Sequence, residues 1–357
     1  MLNEVKKHKY ENIKCFIQNG IDEGLYPPEG RIPGDNELMT MFNTSHITVR
    51  KALSDLVNEG KVYRVQGKGS FVSPLENNVN KPDLFISHML FSGEQNDSAF
   101  MGLIQGAGEY MSGKNINVRY DFINSGWQSE DEYLHKLIKE KSSGVLLFLT
   151  KPDSHREAMR AMESAGIPFV LIDRCARSYQ TNYVGSNNIA GGFEQVRYLS
   201  SRGHKKIGFV AFTFEISTER DRHTGYVEGL IEFCGAAPEI RFFNRETFIP
   251  EIMPMLKRGD ITALCVLNDR TAMYVINQLE AQGVSIPRDI SIIGFDDWET
   301  SRYIKPALTT IRQDFIQMGR DSARLLYEAM NYKKTRGKVV LLPIALIERD
   351  SVSKIDS

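Results

Sequence analysis

Apolar residues recur every three or four positions between residues 3 and 23, at Tyr10, Ile13, Phe16, Ile17 and Ile21, which places them on one face of a helix that stops before Gly24. After the Pro27-Pro28 break, residues 33–42 predict a short second helix with Asp35 and Glu37 in its first turn, where acids suit the helix dipole. Asn43-Thr44 reads as a tight turn and Ser45 as a cap. Val49, Leu53, Leu56 and Val57 then form an apolar stripe on a third helix that ends at Gly60. Residues 62–65 and 70–72 are strand-like and flank the glycine-rich tip Gln66-Gly67-Lys68-Gly69. Two short helices joined tightly and followed by a hairpin predict a winged helix-turn-helix.

Residues 74–82 are polar, aperiodic and bounded by prolines, as expected of a tether. The pattern therefore divides the chain into a first domain over 1–73, a linker over 74–82 and a second domain over 83–357. From Leu84 onward, short apolar strands alternate with amphipathic helices: strands over 84–91, 117–123, 144–149 and 169–172, with helices over 98–112, 130–139 and 155–165 between them. A second series begins with a helix over 188–201. It continues with strands over 206–212, 262–267 and 291–295 and helices over 218–233, 270–282 and 315–330. Repeated βα units predict an α/β domain of parallel sheets covered by helices. Ligands in such folds sit beyond the carboxyl ends of strands, which singles out Asp173-Arg174, Asn268-Asp269 and Asp296-Asp297-Trp298.

The net charge of −1 does not advertise nucleic-acid binding by the whole chain, so any basic footprint must be local. Residues 46–73 supply it, with Arg50, Lys51, Lys61, Arg64 and Lys68 against Asp55 and Glu59. A recognition helix inserts its first turns into the major groove, which makes Ser45, His46, Thr48 and Arg50 candidates for phosphate and base contacts, with Gln66 and Lys68 reaching out from the wing. Four scattered cysteines fit no zinc or redox spacing and read as buried free thiols of a reducing cytosol. No metal or cofactor is expected. The first residues lack a secretory core and no apolar run reaches membrane length, so a cytoplasmic protein with no membrane partner is expected.

Ile32-Pro33-Gly34-Asp35-Asn36-Glu37-Leu38, Ser45-His46-Ile47-Thr48-Val49-Arg50-Lys51-Ala52-Leu53 and Gly67-Lys68-Gly69-Ser70-Phe71-Val72 closely resemble the GntR family of bacterial regulators over residues 5–73. Gly34 and His46 stand where that family has Ser and a DNA-contacting Arg. Residues 166–174, 202–208, 222–226, 293–297 and 306–314 resemble the LacI/GalR effector domain, itself similar to two-lobed periplasmic sugar-binding proteins, over 84–350. That resemblance implies effector contacts by Asp173, Arg222, Asn268 and Asp296, with Trp298 or Phe315 against a ring face. Asn187-Asn188 replaces its usual Asp-Asn pair. A GntR-type head on a LacI-type sensor is similar to the arabinose-repressor family of Gram-positive bacteria. It implies a homodimeric repressor on a pseudo-palindromic operator, released by a small sugar, with L-arabinose favoured.

Alternatives stay open for each residue. Asp173, Asp296 and Asn268 could be helix caps, and Arg222 a surface ion-pair partner. A sugar-acting enzyme using Asp173, Asp296 and His204, or a sugar-binding protein with no regulatory role, are the rival classes. No nucleophile elbow, phosphate loop or metal-spaced His cluster supports an enzyme, and Gly203-His204 reads as structural.

Overall fold

The computed structural model describes residues 2–22, 24–58, 61–65, 69–73, 82–86, 98–114, 116, 118–122, 130–212, 216–235, 238–331 and 337–355. The chain divides into two compact units, Met1–Val79 and Asn80–Ser357.

The first unit contains α1 (Leu2–Asp22), α2 (Asp35–Met41), α3 (His46–Asn58) and an antiparallel hairpin of β1 (Val62–Val65) and β2 (Gly69–Val72). Ile13 and Ile17 of α1, Leu38 of α2 and Val49, Leu53 and Leu56 of α3 close one core with Ile32, Val62 and Val72. The Gly34 amide donates to the Glu37 carboxylate at 2.7 Å, so the side chain of the third helical residue caps α2 where the glycine cannot. Val57, expected in the α3 stripe, is 37% exposed, and Ala52 is buried instead. At 100° per residue, positions 49, 52, 53 and 56 cluster on one face and position 57 falls beyond its edge. The cysteine expectation also needs correction. Cys265 is buried and Cys175 and Cys234 are partly covered, but Cys15 is exposed, because it lies on α1 between the two core positions 13 and 17. The linker expected over 74–82 lies outside the described residues except for Pro82, which already pairs as a strand residue.

The second unit is an α/β fold of two lobes. Its first lobe is laid down by β3 (Pro82–Ile86), α4 (Ser98–Ser112), β4 (Arg119–Phe122), α5 (Glu130–Lys139), β5 (Gly144–Phe148), α6 (Arg156–Ser164), β6 (Phe169–Ile172) and β7 (Asn182–Ser186). The second lobe follows with α7 (Asn188–Ser201), β8 (Ile207–Val210), α8 (Ser217–Phe233), β9 (Ile240–Phe242), α9 (Phe248–Arg258), β10 (Ala263–Val266), α10 (Asp269–Glu280), β11 (Ser291–Asp296) and β12 (Thr309–Arg312). The chain then returns to the first lobe with α11 (Phe315–Asn331) and β13 (Val339–Leu342), and ends in the second with β14 (Ala345–Ile347). Among the described residues this makes two six-stranded sheets, ordered β13-β7-β6-β5-β3-β4 and β14-β12-β11-β10-β8-β9. Every pairing is parallel except β12 with β14.

The chain thus crosses between lobes three times, after β7, β12 and β13. Those crossing strands escaped the sequence pattern. Asn182-Tyr183-Val184-Gly185-Ser186 is buried at every position yet carries no apolar run, because Ser186 leads into the crossover and the buried Asn182 side chain accepts the Lys338 amide at 3.1 Å. Helix α9 escaped too; it holds Pro250 in its first turn, where a missing N–H costs nothing, and Pro254 in its interior. In the second lobe, α7 and α8 pack with their backbones close. A Cβ on Gly225 would lie 1.9 Å from the Ile189 carbonyl oxygen, so only glycine allows the approach that sets Arg222 of α8 beside Asn188 of α7.

Candidate functional site

On α3 the side chains of His46, Ile47, Arg50, Lys51 and Ser54 are exposed while Thr48, Val49, Ala52, Leu53 and Leu56 are buried. Of the predicted contact residues, Ser45, His46 and Arg50 therefore lie on the open face. Thr48 does not; it is 9% exposed and its hydroxyl lies 3.1 Å from that of Ser45, so it secures the helix start. The Ser45 carbonyl accepts the amides of Thr48 and Val49. Arg64 donates to the Asp35 carboxylate at 2.6 Å, and His46 Nε2 lies 3.6 Å from the same group, which ties the wing strand and the start of α3 to α2. Lys51 Nζ lies 5.3 Å from the Tyr10 ring centroid. Gln66 and Lys68 lie outside the described residues.

In the second unit, each predicted acid sits just where a parallel strand ends. Asp173 follows β6 and Asp296 closes β11, both with left-handed backbones (φ 64° and 112°), as has Asp297 (φ 56°). Non-glycine residues held there cost about 1–3 kcal/mol each and cluster at functional sites. Arg222 is buried, not a surface partner. Its Nε donates to Asn188 Oδ1 at 2.8 Å, its Nη1 to the Leu267 carbonyl at 2.7 Å, and its Nη2 lies 3.3 Å from Asp296 Oδ1. The guanidinium carbon stacks 3.7 Å from the Phe295 ring centroid. Gln313, in the crossover between β12 and α11, donates to Asp296 Oδ1 at 2.7 Å. Burial, opposed by Arg222 and assisted by nearby Asp269, raises the Asp296 carboxyl to about 7.

Asn268 is a helix cap. Its Oδ1 accepts the Thr271 amide at 2.8 Å, which aims the rest of its amide from the start of α10. Next to it, fully buried Asp269 accepts from the Trp298 amide at 2.8 Å, Ser301 Oγ at 2.7 Å and Thr310 Oγ1 at 2.6 Å. Burial raises its carboxyl to about 6 against those hydrogen bonds. Asp269 therefore anchors the loop carrying half-buried Trp298, whose ring lies 5.2 Å from the Arg270 guanidinium. Phe315 begins α11 in the first lobe and packs against its core, near the Phe100–Phe148 pair. Arg174 lies 4.7 Å over the Phe148 ring. The two lobes are tied together next to these residues: the Cys175 amide donates to Ser217 Oγ at 3.0 Å and Arg177 pairs with Asp221, both partners lying on the helix that carries Arg222.

Sequence reasoning gave Asp269 only as one of a polar pair at a strand end and Asn188 only within the Asn187-Asn188 departure, and assigned neither them nor Gln313 a part in this assembly. Asn188 and Gln313 stand at lobe crossovers, which only the unrecognised strands β7 and β12 define. His204, by contrast, precedes β8 and so occupies the opposite edge of its parallel sheet from Asp296. It is buried between Thr262 Oγ1 (3.0 Å) and the Ser353 carbonyl (3.1 Å), and burial lowers its pKa. No acid, base and orienter triad forms from His204, Asp173 and Asp296. Among the described residues no group of three His, Cys, Asp or Glu side chains could hold a metal ion, and no helix is long and apolar enough to cross a membrane.

Residues 9–72 match the model of the gntR family of bacterial regulatory proteins, and residues 196–352 that of the periplasmic binding protein-like domain. The chain is 28% identical over 367 residues to the arabinose metabolism transcriptional repressor of Geobacillus stearothermophilus, covering 97% of this chain and 98% of the relative. It is 26% identical to the repressor of the same description from Halalkalibacterium halodurans, covering 91% and 90%. The fold is shared with a LacI family transcriptional regulator from Enterococcus faecium with bound ribose, at a TM-score of 0.64 and 24% identity over 77% of this chain and 100% of that one. A GntR-type DNA-binding region thus stands ahead of a two-lobed, periplasmic-binding-protein-like domain, the arrangement of a transcriptional regulator.

Proposed function

We propose that this regulator is a cytoplasmic homodimer that represses carbohydrate-utilisation genes from a pseudo-palindromic operator and leaves it when a small sugar binds. Residues 1–73 form the DNA-binding domain in this reading and residues 83–357 the effector domain, joined by the linker. The observation that carries it is the Arg222–Asp296 pair, buried at the carboxyl ends of the strands and tied through Asn188 and Gln313 to two lobe crossovers. A ligand that changes the contacts of Asp296 acts directly on the segments about which the lobes move.

Neighbouring hydroxyls suit the donors and acceptors available. The carboxylates of Asp173 and Asp296 accept, the Asn268 amide donates, and Trp298 and Phe315 supply apolar surface for a ring face. Arg222 holds Asp296 in place, with three of its five N–H donors directed at protein groups. The similar repressors named for arabinose metabolism and the neighbour holding ribose make pentoses the first candidates, L-arabinose foremost. Ser45, His46 and Arg50, with Gln66 and Lys68 of the wing, contact the operator. Thr48 supports them from beneath.

A thermal-shift screen against pentoses, hexoses, deoxysugars, sugar phosphates and sugar acids tests the pocket. Ligand at about 100 times its dissociation constant stabilises the native state by about 2.7 kcal/mol. An operator-binding assay with the hit then tests the direction of the response. A coupling of about 1–3 kcal/mol weakens operator binding about 5- to 150-fold, whereas tighter binding with sugar would make the effector a co-repressor and overturn release.

A further inference from the structure

Ile47 is 80% exposed, more than any other large apolar side chain among the described residues. Its neighbours explain why folding leaves it out. Thr48, Val49, Ala52, Leu53 and Leu56 take the buried side of α3, so position 47 falls on the opposite side with His46, Arg50, Lys51 and Ser54. Arg50 and Lys51 lie three and four residues on, one turn along the same face. Ile47 is therefore an apolar point set in a cationic surface, in the first turn of the helix that, on the DNA-binding reading above, enters the major groove.

In the major groove the thymine C5-methyl is the apolar feature of the base edges, while the remaining edge groups are hydrogen-bond donors and acceptors. A branched aliphatic side chain has nothing to offer a donor or acceptor and leaves it unsatisfied if placed against it. We propose that Ile47 is a specificity-determining residue of the DNA interface, reading a thymine by packing its side chain against the C5-methyl group. The surrounding charges favour this occupant. Arg50 and Lys51 attract a phosphate backbone to either side of the contact, and His46, 3.6 Å from the Asp35 carboxylate, flanks it on the side of α2.

The inference rests on the DNA-binding reading, and one experiment separates the two. The full chain is used to select a duplex from a random-sequence DNA pool at fixed salt. Each thymine of the selected half-site is then replaced singly by deoxyuridine, which removes the methyl group and changes no hydrogen-bonding group. At one thymine the replacement should weaken binding by the wild-type chain about fourfold, the factor expected for one buried methyl group. The Ile47→Ala chain should bind the thymine and deoxyuridine duplexes equally. Ile47→Ser provides the same comparison, and the thermal midpoints of both variants should match that of the wild type, since the side chain lies outside the core. Equal loss at every thymine in wild type and variants, or no methyl dependence in the wild type, overturns the role of Ile47 while the enriched duplex upholds DNA binding. A pool that yields no enriched sequence overturns both.

Discussion

The DNA-reading unit and the effector unit carry their functional side chains in opposite ways. On α3 they are exposed, and most lie on one face of a single helix, where position along the helix alone decides which of them point outward. In the effector unit they are buried and interlocked: Arg222 meets Asn188, 34 residues away, and the Leu267 carbonyl, 45 residues away, before it reaches Asp296. The difference teaches what each surface is for. A DNA interface finds its counter-charges on the partner and needs none in the chain. A site that must change shape with a small ligand holds its charges against each other, so that the ligand competes with existing bonds.

The contrast would break first at Arg222. Arg222→Ala strands the Asp296 carboxylate in a buried site and should destabilise the chain by about 3–5 kcal/mol in urea unfolding, with loss of the sugar-induced thermal shift. A variant as stable as the wild type would mean that the network is not interlocked. Arg50→Ala should do the reverse. We expect operator affinity to fall by about 1–3 kcal/mol in a titration at fixed salt, while the thermal midpoint moves little.

A third test uses pH. Asp296 titrates near 7 in the folded protein, against 3.8 as the ordinary value. A carboxyl with a raised folded pKa contributes most stability below the unfolded value and loses that contribution as pH rises through the folded one. The thermal midpoint should therefore decline between about pH 4 and pH 7, and less steeply in Asp296→Asn; parallel profiles would remove Asp296 as the cause. Buried Asp269, raised to about 6, adds a decline of the same sign. The smallest effect is expected at the cap: Asn268→Ala should cost about 1 kcal/mol in unfolding measurements through the lost Thr271 amide bond. It should also weaken sugar binding in the thermal-shift assay, and a loss of stability without any change in sugar affinity would make Asn268 a cap alone.

How much was legible follows from the range of the forces involved. The helix periodicity around Ile13, Ile17, Val49 and Leu53 is a local signal, so the first unit could be read nearly to its ends; Cys15, Thr48 and Val57 fell on the wrong side of a face. Asp173, Asn268 and Asp296 were legible as polar residues closing apolar strands. The roles of Asn188 and Gln313 were not, because their importance comes from standing where the chain passes between lobes, and β7 and β12, the strands that precede them, carry no long apolar run to announce those crossings. Asp269 was seen as part of a polar cluster but not as the anchor of the Trp298 loop, since its three donors come from residues 29 to 41 positions away.

By itself the amino-acid sequence determined the two kinds of unit, most of the open face of α3 proposed to meet DNA and the strand ends where a ligand would sit, because periodicity and turn chemistry act over a few residues. The tertiary structure alone decided that Arg222 is a buried clamp on Asp296 and that Asp269 holds a loop. Burial and pairing of charges depend on which distant backbones approach each other, and here that approach is set by the close packing of α7 on α8 and by three crossings between lobes.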